Sequence, residues 1–217
     1  MGSNLTVYGR ASSSNVQLVM WAAAELSLSP ERLDYGFTYG GLDTPEFRAM
    51  NPFGKVPVMK DGDNAPIFES MAIVRYLAAR YGDGGAFWPS DAAERAQVDA
   101  WAEWGKNSLA RDFTAPIFWL VWRTAAKDRD DDMVERNLDR FIIHLKQLEL
   151  RLTGRRFICG EVLTLADIAV GHVLYRYFEI PIYRPSLPNI AAYYARLTDR
   201  EPYQEHVMVS FDELRVV

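Results

Sequence analysis

Apolar and polar positions in the first 81 residues follow strand-like spacing in some segments and helix-like spacing in others. Short β-prone runs bounded by turn residues predict strands at Leu5–Tyr8, 30–37, 56–59 and Ile67–Phe68. Helical spacing predicts helices at 16–26 and Ser70–Tyr81, and Pro45–Met50 is typical of a short helix or turn. The resulting order, βαβ followed by ββα, predicts a small mixed sheet with helices packed on it.

The rest of the chain has almost no strand-like pattern. Residues 82–89 begin with Gly and end with Pro and have the composition of a linker. Helical spacing then recurs at 90–123, 131–152, 165–178 and 189–198, whereas prolines exclude regular structure from 179–188. We therefore predict two domains, an α/β domain at residues 1–83 and an all-α helical bundle at residues 90–217.

The composition and charge of the chain exclude several kinds of partner and site. The chain has 217 residues and a net charge of -5, and Lys and Arg form no basic stripe, so nucleic acid is not an expected partner. The sequence has neither a signal-peptide pattern nor an apolar stretch of roughly 18 residues, so we expect a cytoplasmic protein without a membrane partner. Cys159 is the single cysteine, which excludes an intramolecular disulfide and zinc sites built from cysteine clusters.

Two motifs lie beside the last two predicted strands. The run Asn51-Pro52-Phe53-Gly54-Lys55-Val56-Pro57 leads into one strand, and Glu69-Ser70 follows the other and begins a helix. The free N–H groups and the serine hydroxyl at a helix start suit a carboxylate. The residues alone leave simpler interpretations open, because serine is a common N-cap and proline can begin an edge strand.

These motifs, together with a helical second half, resemble the cytosolic glutathione transferases over nearly the whole chain. The resemblance is to bacterial, serine-type members similar to the theta, phi and delta classes. It implies a thioredoxin-like N-terminal domain that binds glutathione as a co-substrate and an all-α C-terminal domain that lines the electrophile site. It also implies a homodimer and a role in detoxification, and no metal is expected.

The resemblance also implies roles for individual residues. Val56, which precedes a cis Pro57 in the family pattern, would pair its backbone with the peptide-like ligand. Ser70 would hold the γ-glutamyl carboxylate of glutathione, and Glu69 would lie near its ammonium group.

Lys55 is a candidate partner for the second carboxylate, at the glycine end of glutathione, although a solvated surface lysine is equally compatible with the pattern. Several classes place a basic pair just before the segment that matches Thr44-Pro45-Glu46-Phe47, whereas Gly41, Leu42 and Asp43 stand there in this chain. Without that basic pair, Lys55 would supply a larger share of the contacts that hold glutathione.

Catalysis requires a thiolate, and a free thiol with a pKa of about 8.5 is only a few per cent ionised at neutral pH. The run Ser12-Ser13-Ser14-Asn15 precedes a predicted helix, and the resemblance aligns Ser13 with the hydroxyl that activates the thiol. Ser12, Ser14 and the Asn15 amide are alternates, Tyr8 is a rival, and capping explains the serines without any catalytic role.

The helix predicted at 90–123 carries an aromatic stripe that is typical of a core. In the family this helix lines the electrophile pocket, so Trp104, Asn107, Ser108 and Arg111 are candidate pocket residues. Thr164 and Asp167 form a capping-box pattern at a helix start, and we interpret them as folding residues.

The leading hypothesis is therefore conjugation of reduced glutathione to a small hydrophobic electrophile. Glutathione-dependent peroxide reduction or isomerisation in the same fold is an alternative. A non-catalytic interaction protein with this fold is a third hypothesis, which the presence of Ser13, Val56, Pro57, Glu69 and Ser70 disfavours.

Overall fold

The computed structural model describes residues 4–216, and its first part is an α/β unit. The strands are β1 Leu5–Tyr8, β2 Glu31–Leu33, β3 Val58–Asp61 and β4 Ile67–Phe68, and the helices are α1 Ser14–Glu25, α2 Pro45–Met50 and α3 Ser70–Tyr81. The 4-stranded sheet has the order β2-β1-β3-β4, in which β1 is parallel to β2 and antiparallel to β3, and β3 is antiparallel to β4. The predicted mixed sheet with packed helices is confirmed.

The second part is helical. Its helices are α4 Ala92–Trp104, α5 Arg111–Phe113, α6 Leu120–Trp122, α7 Asp131–Leu152, α8 Leu165–Gly171, α9 Leu174–Glu179, α10 Pro188–Thr198 and α11 Glu201–His206. Two π-helical turns, Gly105–Ala110 and Thr114–Trp119, join α4, α5 and α6 into one continuous helical path. Within residues 4–216, no helix has both the length and the apolar character needed to cross a lipid bilayer.

Helix α8 begins with the predicted capping box. The Thr164 side chain accepts the N–H of Asp167, and the Asp167 carboxylate accepts the N–H of Thr164 at 2.7 Å. The fully buried carboxylate also accepts the N–H of Ile158 at 2.9 Å and the hydroxyl of Tyr193 at 3.0 Å. Asp167 therefore ties the start of α8 to a loop and to α10, which supports its interpretation as a folding residue.

Helix α1 contacts both parts of the protein, since it packs against α3 as well as α8 and α11. The Trp21 ring meets the Tyr203 ring edge-on at a centroid separation of 4.9 Å. The Glu25 carboxylate accepts hydrogen bonds from Trp21 Nε1 at 2.8 Å and from Arg200 Nε at 2.7 Å. The loop before α1 is therefore positioned by a helix that is held from both sides.

Several elements differ from the sequence prediction. Strand β2 covers only Glu31–Leu33 of the predicted 30–37, and the helix predicted at 90–123 is interrupted by the two π-helical turns. Strand β3 begins two residues later than predicted, because Pro57 has no N–H to donate to a ladder. The helix predicted at 165–178 is divided into α8 and α9, and helix α11 was not predicted. The predicted irregular segment is observed at 180–187, since Glu179 ends α9 and Pro188 begins α10. The Arg184 guanidinium holds it by donating to the carbonyls of Tyr177 and Phe178 at 2.9 and 2.7 Å.

Candidate active site

The loop that carries the candidate serines continues the edge of the β1–β2 pair. Gly9 N–H donates to the carbonyl of Leu33 at 2.8 Å, and Arg10 N–H donates to that of Tyr35 at 3.2 Å. A Cβ at Gly9 would lie 2.4 Å from Val16 Cγ2 and 3.1 Å from Val56 Cβ, so only glycine allows this close approach. The chain then turns at Ser13, the N-cap of α1.

The structure separates the four candidate groups of this loop. The Ser12 hydroxyl donates to Glu213 Oε1 and accepts from Arg10 Nε at 3.1 Å. Asn15 Oδ1 accepts from the ammonium of Lys106. The Ser13 hydroxyl, in contrast, makes no hydrogen bond with any of residues 4–216, although its carbonyl accepts the first helical N–H groups. Ser14, the first residue of α1, is partly buried, and its hydroxyl likewise makes no hydrogen bond within residues 4–216.

Val56 presents its main chain beside this loop. The Val56–Pro57 peptide bond is cis. The side chain of Asn51 braces the preceding turn, because it donates to the Lys55 carbonyl at 2.7 Å and accepts the Phe53 N–H at 3.1 Å. The N–H and carbonyl of Val56 have no hydrogen-bond partner among residues 4–216, so both can pair with an extended ligand.

Glu69 and Ser70 form the start of α3. Glu69 adopts φ 70° and ψ 115°, a region that costs a residue with a side chain about 1–3 kcal/mol. Such strain concentrates at ligand sites. Ser70 is 4% exposed and is the first residue of α3, where the unpaired N–H groups of the first turn favour an anion. The Glu69 side chain is exposed and makes no capping hydrogen bond.

Comparisons with known proteins agree with this arrangement. Residues 3–79 match the family model for the glutathione S-transferase N-terminal domain, and residues 131–196 match the one for its C-terminal domain. The Escherichia coli K12 protein "Glutathione S-transferase GstB" is 31% identical over 206 residues, covering 94% of this chain and 98% of the relative. "Glutathione S-transferase 3" of Zea mays is 28% identical over 94% of this chain and 93% of its own length.

A solved structure covers almost the same length. The theta-class glutathione S-transferase of Xanthomonas axonopodis pv. citri, crystallised with glutathione bound, superposes with a TM-score of 0.89 and is 38% identical. The superposition covers 96% of this chain and 99% of that one.

This chain belongs to the glutathione transferase family. It is a transferase with the thioredoxin-like and all-helical parts of that fold.

Lys106 is a residue of this transferase that sequence reasoning missed. It lies in the first π-helical turn, and its ammonium donates to Asn15 Oδ1 across the boundary between the two parts. Burial lowers the pKa of Lys106 to about 8, and the nearby carboxylate of Glu69 opposes that shift. Lys106 therefore brings a cation to the space between the starts of α1 and α3.

The four residues predicted to line the electrophile pocket do not share one environment. Trp104 packs edge-on against Trp101 and His144, and the mostly exposed side chain of Arg111 pairs with Asp112 at 3.1 Å. These contacts lie within the helical part.

The remaining predicted residues also differ from one another in exposure and contacts. The exposed Asn107 amide donates to Glu103, and Ser108 is partly buried in the π-helical turn. Lys55 is exposed, and the Tyr8 ring packs edge-on against Tyr35 at 5.3 Å. The pocket and glutathione roles of all these residues stay predictions.

Proposed function

We propose that this transferase binds reduced glutathione between the starts of α1 and α3, stabilises its thiolate with the Ser13 hydroxyl, and adds it to an electrophile with an apolar body. The proposed role is removal of reactive compounds in the cytoplasm. The observation that carries the proposal is the Ser13 hydroxyl at the N-cap of α1, which lacks a protein partner while the Ser12 and Asn15 side chains are engaged. The Ser14 hydroxyl also lacks a partner, but it lies within the first turn of α1.

This arrangement can supply the free energy that is needed to lower the pKa of the glutathione thiol. Lowering a thiol pKa by two units requires about 2.7 kcal/mol of preference for the thiolate. One hydrogen bond to a charged group contributes roughly 1.5–3 kcal/mol, and a helix N-terminus contributes roughly 0.3–1 kcal/mol. The Ser13 hydroxyl and the start of α1 together can therefore keep glutathione ionised near neutral pH.

The other groups suit the rest of the tripeptide. The unpaired main chain of Val56 supports pairing with the cysteinyl backbone of glutathione. Ser70 and the start of α3 suit the γ-glutamyl carboxylate, and the exposed Glu69 carboxylate suits the ammonium group of the same γ-glutamyl residue. These contacts would hold the sulfur at a constant place relative to Ser13, so that positioning contributes to the rate.

Two measurements test the proposed function together. Isothermal titration with reduced glutathione measures binding, and a generic aryl halide measures conjugation. We expect saturable binding and turnover of the halide. Binding without turnover of the halide, but with turnover of a hydroperoxide, would favour glutathione-dependent reduction instead. Absence of binding would contradict the proposed function and favour an interaction protein.

Replacing Lys106 by methionine is expected to weaken binding of S-methylglutathione about tenfold near neutral pH, because a partly buried cation is lost beside the ligand carboxylates. In the unmodified protein the affinity should fall as the pH rises through about 8, since Lys106 loses its charge there. S-methylglutathione has no ionisable thiol, so ionisation of a thiol cannot contribute to this pH dependence of the affinity.

The comparison is made by calorimetric titration across this pH range. Lys127→Met, which removes a lysine from the exposed loop before α7, is the matched control. Equal pH profiles for Lys106→Met and the unmodified protein would contradict a role of this ammonium in binding.

We also propose a homodimer. Phe53 is 63% exposed, and an apolar cavity of about 390 Å³ lies between α4 and α7, lined by Ala100, Trp101, Trp104 and Gln147. Exposed apolar features of this size on one chain favour contact with a second copy. Light scattering at micromolar concentration should give twice the 24.7 kDa mass of one chain.

Phe53→Ser should shift this mass toward that of the monomer, whereas Tyr183→Ser, at a residue that is 70% exposed, should leave it unchanged. A monomeric mass for the unmodified protein would refute the dimer.

A further inference from the structure

Three arginines from distant parts of the chain converge beside the serine loop. Arg10 lies in that loop, and its carbonyl accepts the Ser13 N–H at 3.1 Å. Arg123 ends α6, and Arg176 lies in α9. The guanidinium carbons of Arg10 and Arg123 lie 5.3 and 5.6 Å from the centre of the Phe37 ring, so one aromatic ring joins both cations.

Repulsion between neighbouring cations contributes to the lowered pKa values of Arg10 and Arg176. Burial, together with the charges of Arg10 and Arg123, lowers the pKa of Arg176 to about 9. Burial also lowers the pKa of Arg10; Glu213 opposes this shift and Arg123 adds to it. The three guanidinium groups therefore share one electrostatic environment.

Carboxylates do not balance this charge. Among residues 4–216, Glu213 is the only carboxylate within 4.0 Å of any of the three guanidinium groups, and it also accepts the Ser12 hydroxyl. Within residues 4–216, the Arg123 side chain makes no hydrogen bond and no ion pair. A cluster with an excess of cations favours an anionic ligand, in a protein whose net charge is -5.

The buried side of the cluster has more donors than acceptors. Arg176 is 4% exposed and donates to the Ser12 carbonyl at 2.5 Å and to Gln17 Oε1 at 3.4 Å. Its Nε and the Gln17 Nε2 are buried without an acceptor in residues 4–216. Since buried donors normally have partners, this imbalance adds to the positive potential next to the serine loop.

Aromatic surface surrounds the open side of the cluster. Phe37 is 45% exposed and Trp119 is 46% exposed, although both are large apolar side chains. The Arg123 guanidinium lies 5.2 Å from the centre of the Trp119 ring, so the cation is flanked by two accessible aromatic rings. A flat apolar body that carries a negative charge fits such a surface, because its ring meets the aromatic groups while its charge meets the arginine.

We propose that the electrophile of this transferase is a flat, apolar molecule that carries a carboxylate, and that Arg123 binds this carboxylate with support from Arg10. The inference rests on the proposed function and narrows its substrate class. With an aryl halide, the thiolate sulfur forms a bond to the ring carbon, the carbon–halogen bond breaks, and the halide leaves with the bonding electron pair. The thiol proton goes to solvent.

A pair of unreactive ligands tests the anion site without any chemistry. Calorimetric titrations with 3,5-dinitrobenzoate and 3,5-dinitrobenzamide compare a charged and a neutral ligand of nearly equal shape, in the presence of S-methylglutathione. We expect the benzoate to bind about tenfold more tightly, as for one charge-assisted hydrogen-bonded pair. Arg123→Gln should remove this preference, and Arg123→Lys should keep part of it.

The matched control is Arg136→Gln, at an arginine on α7 whose side chain is 61% exposed and lies 4.0 Å from Asp130. This variant should keep the full preference. Equal affinity of the unmodified protein for the two ligands would overturn the inference. So would an Arg123→Gln variant that binds S-methylglutathione more weakly but keeps the preference for benzoate, because the arginine would then serve glutathione.

Turnover separates this inference from the proposed function. The substrates are 4-chloro-3,5-dinitrobenzoate and the corresponding benzamide, and each rate is divided by the uncatalysed rate with glutathione. We expect a larger normalised kcat/KM for the benzoate. Turnover of both without a preference would overturn the inference and leave the transferase function intact. Tighter binding of the unreactive benzoate without turnover of either halide would support the anion site and contradict the proposed function.

Discussion

Replacing Ser13 by alanine is expected to lower the rate of glutathione conjugation near neutral pH by roughly 10- to 100-fold, since one hydrogen bond to an anion contributes about 1.5–3 kcal/mol. The Ser13 hydroxyl has no protein partner within residues 4–216, so its removal leaves no buried donor or acceptor unpaired. The fold should therefore be unaffected, and the whole loss should appear in the ionisation of the thiol.

The pKa of enzyme-bound glutathione measures this loss directly. We expect Ser13→Ala to raise this thiol pKa by about one to two units, as followed by the ultraviolet absorbance of the thiolate in the binary complex. The conjugation rate should then recover as the pH rises, while the affinity for S-methylglutathione stays unchanged.

The same measurement on Ser12→Ala, Ser14→Ala and Asn15→Ala assigns the activating group. Ser12 and Asn15 already bind Glu213 and Lys106, so their replacement should change the thiol pKa less than Ser13→Ala does. If Ser14→Ala raised the thiol pKa and Ser13→Ala did not, the assignment to Ser13 would be wrong.

Replacing Asp167 by asparagine is expected to lower the free energy of unfolding by about 3 kcal/mol or more at neutral pH. The carboxylate accepts hydrogen bonds from the N–H groups of Ile158 and Thr164 and from the hydroxyls of Thr164 and Tyr193. An amide group keeps one of the two oxygen acceptors, so about half of these buried donors lose their partner. Urea denaturation measures the loss.

Asp139→Asn, at an exposed position of α7, is the control for this variant. It should leave the denaturation midpoint unchanged. Because Asp167 lies outside the candidate site, the kcat of the folded Asp167→Asn protein should also stay unchanged. A large loss of kcat without a loss of stability would contradict a purely structural role.

The pH dependence of stability gives a second test of Asp167. Burial raises its pKa from 3.8 to about 6, despite the hydrogen bonds that favour the charged form. Between these values the folded protein binds more protons at this group than the unfolded chain does. The part of the free energy of unfolding that is linked to protonation of Asp167 is therefore full below the lower value and is lost as the pH rises through about 6, whereas the hydrogen bonds accepted by the ionised carboxylate remain at neutral pH. Asp167→Asn should lack this component.

The sequence predicted elements best where local patterns determine them. Helix Asp131–Leu152 was predicted with the bounds that the structure has, because its apolar stripe is regular and Asp130 caps its first turn. The two motifs to which the family resemblance assigns glutathione contacts are also local, since Val56-Pro57 and Glu69-Ser70 are adjacent pairs at strand ends. Helix α11 was missed, because its 6 residues include a proline and few apolar positions.

The parts of the site that were not predicted depend on contacts between distant residues. Lys106 meets Asn15 across 91 positions, Arg176 meets Ser12 across 164, and Glu213 meets Ser12 across 201. No local pattern encodes such pairs. The electrophile residues were assigned from the family resemblance, and the π-helical turns, which were not predicted, alter which side chains share one face of this helix.

These π-helical turns also affect how the family can diversify. A π-helical turn corresponds to one extra residue inserted into an α-helix. Deleting a single residue within Gly105–Ala110 would restore regular winding and rotate the following side chains by about 100° relative to those before it. Because the buried Phe113 and Phe118 follow this turn, single-residue insertions and deletions here change which side chains enter the core and require compensating changes in the packing around them.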